Sequence, residues 1–351
     1  MALPDVLRSL LTAPGPSGYE KEAARVFADA AASFAEVSTD VMGTTVARVP
    51  GTADGPLLAV VGHIDEIGLL VSHIDEKGFL WFIGVGGWDP VILVGQRVEI
   101  MTRDGRIPGV VGKKPIHLLE PDDRKKAPEL KALHIDIGAK DGDEAKSLVR
   151  IGDVAVIAGE PVELPNDRLV SRSMDNRLGA FVAYESARLV ADAGGAPGDF
   201  AAVAAVQEEI NLGGAGTTAF SLEPDVAIVV DVTFETDQPG IDAKTIGESP
   251  FGSGAAITRG STIHPAVFDR LVEAAEAADI PYTLAPSTRA TGTDADAIHL
   301  ARGGIPTGVV SIPLRHMHSP VEMVQLDDVH NVAKLIAEFA KRLEPGTSFT
   351  R

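Results

Sequence analysis

Residues 201–214 read AAVAAVQEEINLGG. The run is small and apolar, of strand length, with no polar side chain before Gln207; Glu208 and Glu209 follow, then a glycine-rich turn into a helix-compatible segment. A continuous apolar run marks a strand buried on both faces, as in parallel sheets. In open α/β sheets the ligand crevice lies beyond the carboxyl ends of the strands, so a strand that stops in paired acids aims them at that crevice. An exposed strand end carrying solvated acids is the plainer alternative. Recurrence of the pattern decides between the two.

Three further apolar stretches end in the same kind of group. Leu57 to Val61 runs into Gly62-His63-Ile64-Asp65-Glu66, Val226 to Val230 ends in Asp231, and Gly308 to Leu314 runs into Arg315-His316-Met317-His318. A fifth acid, Asp175, opens a predicted helix after a short strand. Helical periodicity appears over residues 4–12, in Ala23, Val26, Phe27, Ala30 and Phe34, in Leu178, Phe181, Val182 and Leu189, and around Phe268 to Ala278. A last helix starts at an Asp327-Asp328 cap and turns Val332, Leu335, Ile336 and Phe339 inward, with a frayed tail expected from Glu344.

Between about Leu70 and Glu163 the texture changes to short apolar pieces broken by turns such as Asp75-Glu76-Lys77-Gly78 and Arg103-Asp104-Gly105. The expected architecture is therefore α/β, with one discontinuous domain over residues 1–69 and 164–351 and a small β-rich domain inserted at 70–163. A chain of 351 residues fits about two domains.

Composition narrows the chemistry. Acids outnumber bases 50 to 31, for a net charge of -19, which disfavours nucleic acid and anionic membranes as partners. No signal peptide or membrane-length apolar run is read from the N-terminal stretch, and a cytoplasmic location fits. There is no cysteine, so disulfides, thiolate sites and thiol nucleophiles are excluded, and a metal would have only nitrogen and oxygen ligands.

His63 and Asp65 are two residues apart, so on a strand both face one side, and Asp65 can orient an imidazole that binds metal through its other nitrogen. Glu208 and Glu209 are adjacent and diverge, so one can bind metal while the other acts as a base. Convergence of Asp65, Asp175, Glu208, Glu209 and Asp231 without cations would defeat itself: two charges about 5 Å apart repel by roughly 3 kcal/mol at an effective dielectric near 20. Two divalent cations offset this, and imidazole with carboxylate suits zinc, cobalt or manganese. Each residue alone has a plainer reading: Asp175 as a helix N-terminal acid, Asp231 as a strand cap, His318 as a solvated loop histidine. His73, His117, His134, His264, His299 and His330 are assigned to structural or solvated roles. Neither a GxxxxGK[ST] phosphate loop nor a GxSxG elbow is present, which argues against nucleotide binding and a serine hydrolase.

These residues lie in strings that, taken in order, resemble the tetrahedral aminopeptidases, a cocatalytic metallopeptidase family that includes glutamyl and deblocking aminopeptidases. The strings are PGPSGYE at 14–20, GHIDEIG at 62–68, SMDNR at 173–177, QEEINLGGA at 207–215, DVT at 231–233, TGTDA at 291–295 and MHSPVEM at 317–323. The resemblance implies two divalent metal ions, one completed by His63 and Asp231, the other by Glu209 and His318, with Asp175 bridging. It implies Glu208 as general base, Asp65 as the partner of His63, and Gly292, Thr293 and Asp294 as a substrate-side loop. It further implies a PDZ-like inserted barrel used in assembly, commonly into a twelve-subunit particle, and peptide substrates with a free N-terminus. The chain departs from the pattern at Phe234-Glu235, where many relatives carry His-Ala, which bears on substrate preference. Two other readings remain: a related carboxypeptidase or deacylase, with Arg289 or Arg315 receiving a free carboxylate, and a noncatalytic assembly protein whose metal cluster only stabilises the fold.

Overall fold

The computed structural model describes residues 2–350; Met1 and Arg351, the outer bounds expected for the larger domain, lie outside the described residues. Strands β1 (Glu36–Thr39), β2 (Thr45–Val49) and β3 (Gly55–His63) lead into six strands that close a barrel. These are β4 (Gly68–Ile74), β5 (Leu80–Val85), β6 (Arg97–Thr102), β7 (Gly105–Gly112), β8 (His134–Asp136) and β9 (Val154–Ile157). There follow β10 (Val162–Leu164), β11 (Arg168–Ser171), β12 (Gly198–Ala205), β13 (Val226–Phe234), β14 (Ala255–Gly260), β15 (Tyr282–Ser287), β16 (Thr307–Leu314) and β17 (Glu322–Gln325).

Eight of the strands make one mixed sheet in the order β1-β2-β12-β3-β13-β16-β14-β15. The central four, β12, β3, β13 and β16, run parallel to their neighbours in that group, so their carboxyl ends share one edge. All four are almost entirely buried, as their uninterrupted apolar sequences require. A fully buried valine, leucine or phenylalanine contributes about 1.5–3 kcal/mol, so Val60, Phe200, Val203, Val230 and Val310 fix this slab firmly. The barrel is antiparallel throughout and has an apolar centre of its own around Val71, Leu80, Phe82, Ile100 and Ile135. The fold is thus the expected mixed α/β class with a closed six-stranded barrel.

The helix Met174–Asp192 lies against β3, β12 and β13. Two glycines set its distance: a methyl group on Gly62 of β3 would overlap the backbone of Gly179, and one on Gly179 would meet the Val230 carbonyl oxygen at 2.5 Å. The helix therefore sits flush on the sheet, with its first residues beside the ends of β3 and β13.

Three details differ from expectation. Strand β13 does not stop at Asp231 but continues to Phe234, because β16 beside it offers pairing partners as far as Leu314. Asp328 is not a helix cap: its carboxylate is buried and accepts the backbone N–H groups of Gly252 and Gly254 at 2.9 and 2.8 Å. The tail beyond Glu344 is not frayed throughout, since Phe349 packs on His264 and Arg270. No helix among the described residues is long and apolar enough to cross a membrane.

Candidate metal centre

The shared edge of the four parallel strands gathers the sequence candidates. His63 ends β3, Asp231 lies on β13, and Glu208 and Glu209 occupy a helical turn, Glu208–Asn211, directly after β12. His318 follows β16 in a left-handed backbone conformation, with φ 57°. Asp175 stands where the chain enters its long helix, but with φ -78° and ψ 105° it is not in helical conformation. It therefore differs from a first-turn helix acid, and its backbone turns its carboxylate toward the strand ends.

The carboxylate of Asp175 faces both histidines. Its Oδ1 lies 3.2 Å from His63 Nε2 and its Oδ2 lies 3.4 Å from His318 Nε2. Glu209 Oε1 approaches His318 Nε2 at 3.3 Å, whereas Glu208 Oε2 approaches His63 Nε2 at 3.8 Å, so the adjacent glutamates address different histidines. Two groups have ligand atoms within 4.8 Å of one another: His63, Asp175 and Glu209, and His63, Glu208 and Asp231.

Asp65 lies beneath this cluster. Its Oδ1 is 3.3 Å from His63 Nδ1, and the carboxylate accepts the Ser17 hydroxyl at 2.6 Å and the backbone N–H groups of Glu208 and Glu209 at 3.1 Å each. Glu20 accepts the N–H of Gln207 one residue earlier. Glu66, beside Asp65, binds Arg172 and Arg177, and Arg177 is fully buried against the Leu10 and Ala13 carbonyls. Glu322 accepts the N–H groups of both His318 and Asp175. Residue-type reasoning missed Ser17, Glu20, Glu66, Arg172, Arg177 and Glu322. Their only signal was membership in short polar strings at the mouths of apolar segments.

Charge in the cluster is out of balance. Burial works against charge on His63, but Glu208, Asp175 and Asp65 outweigh it and raise its pKa well above the usual value. His318 is pushed up to about 11 by Asp175 and Glu209. Despite burial, those same histidines hold Asp175 well below the carboxylate range, and His63 with Ser17 lowers Asp65. Burial raises Glu208 to about 7 and drives Asp231 well up, with neighbouring acids adding to both. In the metal-free protein the imidazoles thus act as the cations for an excess of carboxylates. Such a donor set, all imidazole and carboxylate, fits hard or borderline divalent ions.

The remaining candidates are placed as follows. Gly292 is exposed, whereas Thr293 and Asp294 are buried. Neither oxygen of Asp294 has a hydrogen-bonding partner; burial raises its pKa well up, while the charge of His63 is near enough to oppose this. Glu235 is not a free acid at the site: fully buried, it grips Arg315 at 2.6 Å, and Phe251 lies under that guanidinium. Arg315 is therefore occupied, and Arg289 is exposed at the surface. Phe234 is half-exposed at the end of β13. His134 packs on Phe79 and Trp81, His330 on Phe181, and His299 bonds the Ala295 carbonyl; His73 and His117 are exposed.

The sequence profile of the M42 glutamyl aminopeptidases matches residues 43–335. The chain belongs to that family. Among its relatives, the lysyl aminopeptidase of Pyrococcus furiosus is 35% identical over 97% of this chain and 97% of its own. The crystal structure of a TET aminopeptidase from the marine sediment archaeon Thaumarchaeota archaeon SCGC AB-539-E09 is 36% identical and superposes with a TM-score of 0.92, covering 97% of this chain and 96% of that one. The Pyrococcus horikoshii TET1 peptidase, which can assemble into a tetrahedron or a large octahedral shell, is 29% identical with a TM-score of 0.85, covering 97% and 99%. As an M42 member the chain is an aminopeptidase of the metal-dependent kind, which sets aside the noncatalytic reading.

Proposed function

We propose that this M42 peptidase removes N-terminal residues from peptides at a centre of two divalent cations, zinc or cobalt by preference, with manganese a third option. The observation that carries the reading is the position of Asp175, whose two oxygens face two different histidines. His63 and Asp231 would hold one ion, Glu209 and His318 the other, with Asp175 between them. Bound there, the ions would offset the mutual repulsion of the acids, polarise the scissile carbonyl and make water more acidic.

The protein's own groups do the rest. Glu208, raised to about 7 by burial, is suited to take a proton from the attacking water and return it to the leaving amine. Asp65 fixes the backbone of Glu208 and Glu209 and keeps His63 turned so that Nε2 faces Asp175. The loop Gly292, Thr293 and Asp294 is assigned to the substrate side. With Arg315 engaged by Glu235, the centre has no spare guanidinium from that position for a C-terminal carboxylate, which favours N-terminal over C-terminal cleavage. We further propose cytoplasmic action and self-association through the barrel into a twelve-subunit particle.

The test is Glu208→Gln in metal-loaded protein, assayed on aminoacyl chromogenic amides with free and acetylated N-termini. The parent should cleave only the free ones, and the variant should bind metal normally but turn over about 10²–10⁴-fold more slowly. Near-normal turnover would remove Glu208 from the role. Two cations per chain by elemental analysis are expected for the parent.

A further inference from the structure

Glu322 belongs to the string MHSPVEM, yet it is not among the groups whose ligand atoms cluster. It is 2% exposed. One oxygen accepts the His318 N–H at 2.8 Å and the other accepts the Asp175 N–H at 3.1 Å. No other side chain takes backbone N–H groups from both of these residues among the described contacts. Strand register puts it there: Glu322 opens β17 opposite Ser171, the last residue of β11, four residues before Asp175. The same strand closes a loop, because Arg315 and Met323 exchange backbone hydrogen bonds at 3.0 and 3.1 Å with His318 between them. His318 has φ 57°, an unfavourable conformation for a side-chain-bearing residue, so its backbone needs an external hold.

The ring of His318 is held separately. Its Nδ1 pairs with the carbonyl oxygen of Gly87 at 2.9 Å, in the loop that follows barrel strand β5. That directs Nε2 toward Glu209 and Asp175. Backbone and ring are thus fixed by two groups that are not themselves ligands.

We propose that Glu322 is a positioning residue that sets the spacing of Asp175 and His318, and so chiefly the affinity of the metal position that Glu209 and His318 complete, with the Gly87 carbonyl aiming the imidazole. His63 and Asp231 have no hydrogen bond to Glu322 and meet it only through the shared Asp175, so the position they complete should be the less sensitive of the two. The proposal rests on the two-cation reading. Groups that orient ligands typically change metal affinity by about 10–100-fold.

Cobalt(II) is titrated into metal-free full-length protein and followed by visible absorption, with circular dichroism confirming that parent and variant are folded. The parent should bind two ions. Glu322→Gln, whose single carbonyl oxygen replaces two acceptors and whose NH₂ faces an N–H, should weaken one of the two affinities at least about tenfold more than the other. Should that variant fail to fold, Glu322→Asp keeps both carboxyl oxygens but falls one methylene short of at least one N–H, and the same split is expected. Equal weakening of both positions would mean a general structural role and overturn the proposal, as would two unchanged affinities. A parent that binds only one cobalt would overturn the two-cation reading itself, a result distinct from either of these.

Discussion

Ser17 shows how much of the centre depends on groups that never touch a ligand site directly. Its hydroxyl donates to Asp65 at 2.6 Å in a buried setting, and Asp65 in turn holds the backbone of both glutamates. A hydrogen bond to a charged group contributes about 1.5–3 kcal/mol, so Ser17→Ala should lower the stability of the metal-free protein by about that amount in urea unfolding. An unchanged midpoint would mean that Asp65 is adequately held without it. At this scale the histidines and acids near the strand ends were legible because each combines a ligand chemistry with an apolar run that aims it. Ser17, Glu20 and Glu322 were not. Each acts through a hydrogen bond to a group dozens of residues away or more, Ser17 as donor to a carboxylate and Glu20 and Glu322 as acceptors from N–H groups, and nothing in its neighbours along the chain encodes which distant partner it will meet.

Among the elements, the contact between β3 and the helix Met174–Asp192 matters most, because it brings Asp175 to His63 and Asp231. Gly62→Ala would force the helix away from the sheet, since the obstacle is the Gly179 backbone and cannot rotate aside. Overpacking of this kind costs about 1–3 kcal/mol or more. The expected outcome is a lower thermal midpoint together with weaker cobalt binding; a variant with both unchanged would show that the helix adapts. The parallel strands themselves were readable from their apolar runs and terminal groups. The length of β13 was not, because its last residues are paired by β16 rather than favoured by their own composition. The role of Asp328 was hidden for a similar reason: the acid that looks like a cap is used by a loop over 70 residues away.

For the whole molecule, the excess of acids makes metal and pH inseparable. His318, at about 11 in the metal-free protein, carries a proton at neutral pH that a cation must displace. Binding should therefore release protons, and affinity should tighten by up to about tenfold per pH unit for each proton released between about pH 6 and 8. The sign for stability is opposite. A histidine raised above its unfolded value near 6.5 stabilises the folded state fully below about pH 6.5, and that contribution is lost as pH climbs toward 11. Chelated protein should thus become easier to unfold from about pH 7 to 9, while metal-loaded protein should not. Calorimetry of metal binding in two buffers with different protonation enthalpies checks the first point; identical heats would mean that no proton leaves.

The barrel loop that touches His318 also limits how far the chain could be simplified. The segment from Gly68 to Ile157 begins three residues after Asp65, and deleting it would remove the carbonyl that receives His318 Nδ1 along with the barrel. A shortened enzyme without that segment would retain every proposed ligand in its sequence and still have one imidazole held on its Nε2 side alone.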